Sequence, residues 1–283
     1  MKKTLVKSIL LAIFGMMVVQ NVNAQKISAG EEVATNIGPG LKVNDYFYYD
    51  NILYQVVTPV ANDNYEAKAV SFYGESLPAE IEILGGGQAN NCTFTVTEIE
   101  ALNSVKTMSG TSYVAGDASA LSAITTIIFV KEDGFGGFAG TIDEGAFANL
   151  SGLQYVYTEL TTVPEAEEGA FSDICYDALL FAPKLYVPVY ANAEGWNEFF
   201  RIYALEEADA SELHPFGDVD NDGEVGLSDI DALVDFMTFY DTEGYNEASL
   251  DIDGSGNGSD DWENIVDLAD LDALIDYITF NGD

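Results

Sequence analysis

The sequence predicts a mixed fold: a β-rich body in the form of a short repeat solenoid, followed by a small α-helical domain of two tandem loop–helix units. Three observations carry that expectation. Runs of aromatic and β-branched residues alternate with Asn, Asp and Gly between Tyr46 and Thr97. The tetrapeptide "EGAF" stands at Glu144–Phe147 and returns at Glu168–Phe171. The stretch "DVDNDGEVGLSD", residues 218–229, places Asp first, third, fifth and twelfth, and the helical pattern that follows it, "LSDIDALVDFM", recurs as "LADLDALIDYI" at Leu268–Ile278.

Taken in order, the chain opens with Lys2, Lys3 and Lys7 around an apolar run from Ile9 to Val19, then Val22-Asn23-Ala24. A basic start, an apolar run too short to span a bilayer and a small-residue end read as a cleavable secretory signal over residues 1–24. The mature chain is expected to begin at Gln25 and to be secreted or held at the cell surface, with no membrane insertion. The whole chain carries 48 acidic residues against 10 Lys and Arg, a net charge of −38. That balance excludes nucleic acid and anionic lipid as partners and favours a divalent cation or a basic surface. Half of the acids lie in residues 202–283, which hold no Lys or Arg, and the break marks a domain boundary.

Within the body, Asp50-Asn51 between "YFYY" and "ILYQVV" is a two-residue hairpin signal. The spacing of the two "EGAF" copies falls in the range of leucine-rich repeats, in which each turn adds one short strand and cannot bury its apolar face alone. Leu121, Ile124 and Ile127 fit an earlier, degenerate turn in the places of Leu150, Leu153 and Val156. Cys92 and Cys175 are too few for a disulfide framework and read as buried thiols, although an exported protein could bridge them. His214, beside Pro215, has no evident helper and is expected to be exposed and inert.

The segments "TVTEIEAL", "TTVPEAEEGAF" and "KLYVPVYANAEGWNEFFRIYALEE" (Lys184–Glu207) resemble the BspA-like leucine-rich repeat proteins of bacterial surfaces, over roughly residues 44–207. The resemblance implies a repeat domain over residues 25–205, closed by a last strand at Leu185–Val187 and a helical turn that lays Trp196 and Phe199 over the core. It also implies a role in binding or display, with a host protein or glycan as ligand. Residues 206–216 form an acidic linker that its charge should extend, so the body is expected to fold without the tail.

The tail, residues 217–283, carries the chemistry. The first loop matches the calcium pattern D-x-[DN]-x-[DN]-G. Calcium takes six to eight hard oxygens, for which Asp218, Asp220 and Asp222 offer side chains, Glu224 its backbone carbonyl and Asp229 the closing carboxylate. Gly223 permits the sharp turn, and Gly226 leaves room for water. The second loop places Asp251, Asp253 and Ser255 first, third and fifth, and an excursion then intervenes before Asp267 and the closing Asp270. Ser255 is a weak ligand, and Asn257, Asp260 or Asp261 of the excursion could replace it. Two calcium ions are expected. Each loop leads into an apolar stripe, Ile230, Leu233, Val234 and Met237 or Leu271, Leu274, Ile275 and Ile278, so two like helices should pack together.

Tandem loop–helix units that close with Asp and lack an entering helix resemble a dockerin, over Gly217–Asp283. The resemblance implies a module that folds on calcium and binds a cohesin-like or other surface receptor, with contacts at Leu227, Ser228, Leu268 and Ala269. Trp262, in the excursion, either folds back on the helices or anchors the partner. No catalytic residue is expected, because "GFGGFA" (Gly134–Ala139) opens no helical pattern and the body carries no nucleophile motif. A carbohydrate-active enzyme borne by a dockerin, and a purely structural surface protein with calcium as a staple, are the alternatives.

Overall fold

Three pairs of adjacent Asn or Asp residues turn the chain back on itself. Asp50 and Asn51 (φ 46° and 63°), Asn62 and Asp63 (63° and 55°) and Asn90 and Asn91 (53° and 61°) all sit in the left-handed region. Two consecutive residues of that kind make the turn whose twist suits a hairpin, and Asn and Asp tolerate it best. The turns produce the antiparallel pairs Tyr46–Tyr49 with Ile52–Val60, Ile52–Val60 with Asn64–Tyr73, and Gly86–Ala89 with Cys92–Ile99. This structure, a computed structural model, describes residues 35–281 apart from 110–111, 132–133, 173, 175–177, 209 and 211–212. The expected signal segment and Cys175 therefore lie outside the described residues, and Cys92 is a buried free thiol.

Beyond the hairpins, pairing becomes parallel. Asn64–Tyr73 pairs in parallel with Cys92–Ile99, which continues to Thr141–Ile142 and then Glu165–Ala166, within a sheet of ten described strands. A second sheet is wholly parallel, in the order Ile202–Ala204, Leu179–Ala182, Tyr155–Thr158, Thr126–Phe129 and Glu80–Ile83. Its register sets Ile81, Ile127, Val156, Leu180 and Ile202 in one buried row. The two "EGAF" turns lie one over the other, Phe147 and Phe171 stacking at 5.2 Å.

The expected leucine-rich repeat solenoid with a small α-helical domain at its end is not the architecture. The described residues are β-rich, with one mixed and one parallel sheet and few helices. Successive parallel steps are unequal: Thr126 pairs with Tyr155, Tyr155 with Leu179 and Leu180 with Ile202, so the chain between partners shortens from one step to the next. A period seen in only two copies makes one stacked pair and not an array, while the antiparallel hairpins occupy the edge that further repeats would need. The expected last strand at Leu185–Val187 is instead a 3-10 turn, Lys184–Tyr186, running into helix α1, Val187–Asn192. Pro188 falls in the first turn of α1, where its missing N–H costs nothing.

The tail does not stand apart as a helical domain. Val219, Leu233, Phe236, Leu250, Ile252 and Leu274 belong to the same hydrophobic cluster as Tyr190 and Trp196 of the body. The helices α2, Leu227–Phe239, and α4, Leu268–Asn281, touch each other, with the short α3, Trp262–Ile265, in the excursion. The expected stripe is displaced: Leu233 and Leu274 are buried, but Val234 and Ile275 are 44% and 40% exposed and Phe236 turns inward instead. His214 also departs from expectation. It is half-buried, its Nδ1 3.4 Å from Glu207, because the end of the linker folds onto the body, where the Phe216 N–H donates to Ile202. Among the described residues no helix is long and apolar enough to cross a membrane.

Candidate metal centre

In the first loop the spacing of the aspartates brings the side chains inward, and the backbone then holds them. Asp218 accepts from the N–H groups of Asp222 (3.1 Å) and Gly223 (2.9 Å), Asp220 from Asp222 (3.1 Å), and Asp222 from Glu224 (2.9 Å). Carboxylate oxygens of Asp218, Asp220 and Asp222 lie within 4.8 Å of one another, a group that can hold a metal ion. Gly223, at φ 89°, makes the bend that an L side chain would strain. Asp229 is fully buried and accepts from Val219 (2.6 Å), Asp220 (3.2 Å) and Gly226 (2.7 Å), so it ties the end of the loop to its beginning. Glu224 is exposed.

The second cluster joins Asp251 and Asp253 to Asp270, which comes from the first turn of α4, again within 4.8 Å. Asp270 accepts from Asp253 (3.1 Å) and Asp267 (2.8 Å), matching the latch that Asp229 makes in the first unit. Gly256 leaves Asp251 its space, since a Cβ there would stand 2.7 Å from Ile265 and 2.9 Å from the Asp251 carboxylate. One oxygen of Asp251 accepts from Gly256, while the other, Oδ1, is buried without a hydrogen-bond partner. A buried carboxylate oxygen without a donor is costly unless a cation meets it.

The remaining expected ligands fall outside the clusters. Ser255 and Asp267 are exposed, Ser255 donating its N–H to Asp253 and Asp267 accepting from Ala269. Of the excursion, Asp261 accepts from Asn264, and Asp260 faces a groove beside Lys184, Tyr186, Glu206 and Glu247. Trp262 is half-buried and folds back on the core. Leu227 and Leu268 are 76% and 70% exposed, and Ser228 and Ala269 are exposed beside them. Sequence reasoning missed Asn246 and Ser249, buried residues that strap the first loop through Asn246 N–H to Val219 and Gly217 N–H to Ser249 Oγ. Their polar side chains, in a segment without periodicity, carry no signal of that role.

Burial first of all pushes Asp218, Asp251 and Asp270 up to about 6; the charge of Asp229 adds to the effect on Asp218, and that of Asp270 to the effect on Asp251. The Asp229 carboxyl is raised as well, again chiefly by burial. Groups whose folded values exceed the unfolded one of about 3.9 stabilise the fold below that value and lose the effect as pH rises through about 6. The cation-free chain is therefore expected to melt at progressively lower temperature as pH rises from 5 to 7.5. Metal affinity should run the other way, weakening below pH 6 as protons compete. Thermal melts in cation-free buffer across that range check the first trend; a melting temperature that climbs with pH would contradict it.

Donor sets made only of oxygen suit a hard cation and not a thiolate-seeking metal. No protein-family model matches the chain, and no curated protein or solved structure matches it either.

Proposed function

We propose that the tail is a calcium-dependent docking module of the dockerin kind. It attaches an exported, non-catalytic β-rich body, which binds or displays, to a cohesin-like or other receptor on a scaffold or cell surface. The observation that carries this reading is the duplication. Each of the two units gathers three carboxylates and, at the same place in the unit, presents a leucine to solvent, Leu227 in one and Leu268 in the other. Val234 and Ile275, which also occupy matching places, extend each exposed patch along its helix. Apolar side chains repeated outside two cation loops have no use in a solvated acidic face and suit a partner surface.

Calcium is the ion proposed for both clusters in preference to magnesium, which demands a smaller, near-octahedral site and sheds water reluctantly. Calorimetric titration of the full chain with each ion tests this, and absence of calcium uptake would remove the reading. The docking surface has its own expected result. Leu227→Gln with Leu268→Gln, which removes the apolar contact without adding charge beside the loops, should leave calcium binding unchanged and abolish calcium-dependent retention on the surface of the producing cells. Retention equal to that of the unsubstituted chain would place the contact elsewhere. A second reading, calcium as a staple for the body, is favoured by the hydrophobic cluster that the tail shares with the body; it expects no calcium-dependent retention at all.

A further inference from the structure

We infer that the second metal cluster is braced from behind by the body. Tyr186 and Asn192 position the loop that carries Asp251 and Asp253, so that this cation is held tightly only when the body is folded beneath it, while the described hydrogen bonds of the first loop stay within the tail and the end of the linker. The inference rests on the metal reading proposed above and adds to it that the two clusters are unlike.

Asn192, the last residue of α1, donates from Nδ2 to the carbonyls of Pro188 and of Ile252, each at 2.8 Å. Ile252 stands between the two loop ligands and is 2% exposed, so this one side chain fixes the peptide from which both Asp251 and Asp253 project. Just before Asn192 in the same helix, Tyr190 is fully buried in the core of the body, and α1 is thus anchored there. On the far side of the loop, Gly258 (φ 82°) lies against the Tyr186 ring so closely that a Cβ would overlap it. Lys184 Nζ pairs with Glu247 at 2.8 Å, and the turn Glu247–Ser249 that leads into the second loop rests on α1 and on Lys184–Tyr186. The first loop differs. Its described hydrogen bonds run within residues 218–229 or to Pro215, Gly244 and Asn246.

The unpartnered Oδ1 of Asp251, in a residue only 3% exposed, points to the ion that the arrangement serves. Groups that orient metal ligands from behind are worth about 10- to 100-fold in affinity, and Asn192 holds the peptide between two such ligands. Linkage makes the effect reciprocal: a body that tightens the second ion is stabilised by it to the same degree.

The test is calcium calorimetry on the full chain in two backgrounds. With the first cluster disabled by Asp218→Asn, Asn192→Ala should weaken the remaining site about 10- to 100-fold; with the second disabled by Asp251→Asn, it should change nothing. Asn192→Leu, which nearly keeps the volume and loses the donor without adding charge, should behave as the alanine does. Gly258→Ala, which perturbs the contact from the tail side with Asn192 intact, should reproduce the selective loss if an Asn192 variant fails to fold. Equal weakening of both sites, or of neither, would overturn the inference while leaving the metal reading intact. An unsubstituted chain that takes up no calcium would remove both.

Discussion

Trp196→Ala is expected to cost the molecule about 5 kcal/mol. The indole is fully buried and lies against Phe129 (5.3 Å), Phe171 (4.7 Å) and Tyr190 (5.0 Å), so truncation opens a cavity that three rings would have to collapse into. Large aromatic residues replaced by alanine in a core cost about 3 to 5 kcal/mol. Here the Nε1–H also donates to the Pro164 carbonyl at 2.9 Å, and a buried carbonyl left without its donor adds about 1 kcal/mol or more. That is a large share of the roughly 5 to 15 kcal/mol by which proteins are stable. Urea unfolding at constant calcium measures it. A loss within about 0.5 kcal/mol, the range of surface substitutions, would mean that the ring is not the centre of the core.

Withdrawal of calcium is expected to cost nearly as much. Each ion held a hundredfold above its dissociation constant contributes about 2.7 kcal/mol, so two independent sites contribute about 5. Without the ions, carboxylates within 4.8 Å of one another repel, and the acids from Gly217 onward have no Lys or Arg among them to offset the charge. The helices α2 and α4 should therefore loosen first. Their loss should reach the body through the hydrophobic cluster that includes Ile252 and Tyr190. Asp218→Ala should reproduce more of the loss than Ser255→Ala, since Asp218 is a buried member of its cluster and Ser255 is exposed and outside the other. Circular dichroism melts in chelator and in millimolar calcium measure the effect, and superimposable curves would show that no ion supports the fold.

The pairing of the two units was legible in the residues, but their unequal surroundings were not. Asp251 and Asp253 alternate along a tight loop and announce themselves. Asp270 is recognisable only by its place relative to a helix, because the excursion hides the count. Asn192 and Ile252 lie far apart in the chain, and nothing near either one names the other. The apolar stripe misled at Val234 and Ile275, since periodicity shows that a helix has two faces but not how far it is rolled against its neighbour.

What short-range chemistry decides here is local. Asp50-Asn51 turns because both residues accept positive φ, the aspartates of the first loop converge because alternate side chains of a tight turn face one way, and Leu227–Phe239 is helical because its apolar residues recur at helical spacing. Only the assembled chain decides which strands run parallel, that "EGAF" makes one stacked pair instead of a solenoid, and that the tail shares the core of the body. Those outcomes depend on burying apolar surface drawn from distant segments and on backbone pairing between strands well separated in the chain. Both are settled by which partner leaves the least apolar area and the fewest hydrogen bonds exposed, a competition among many segments that no single stretch records.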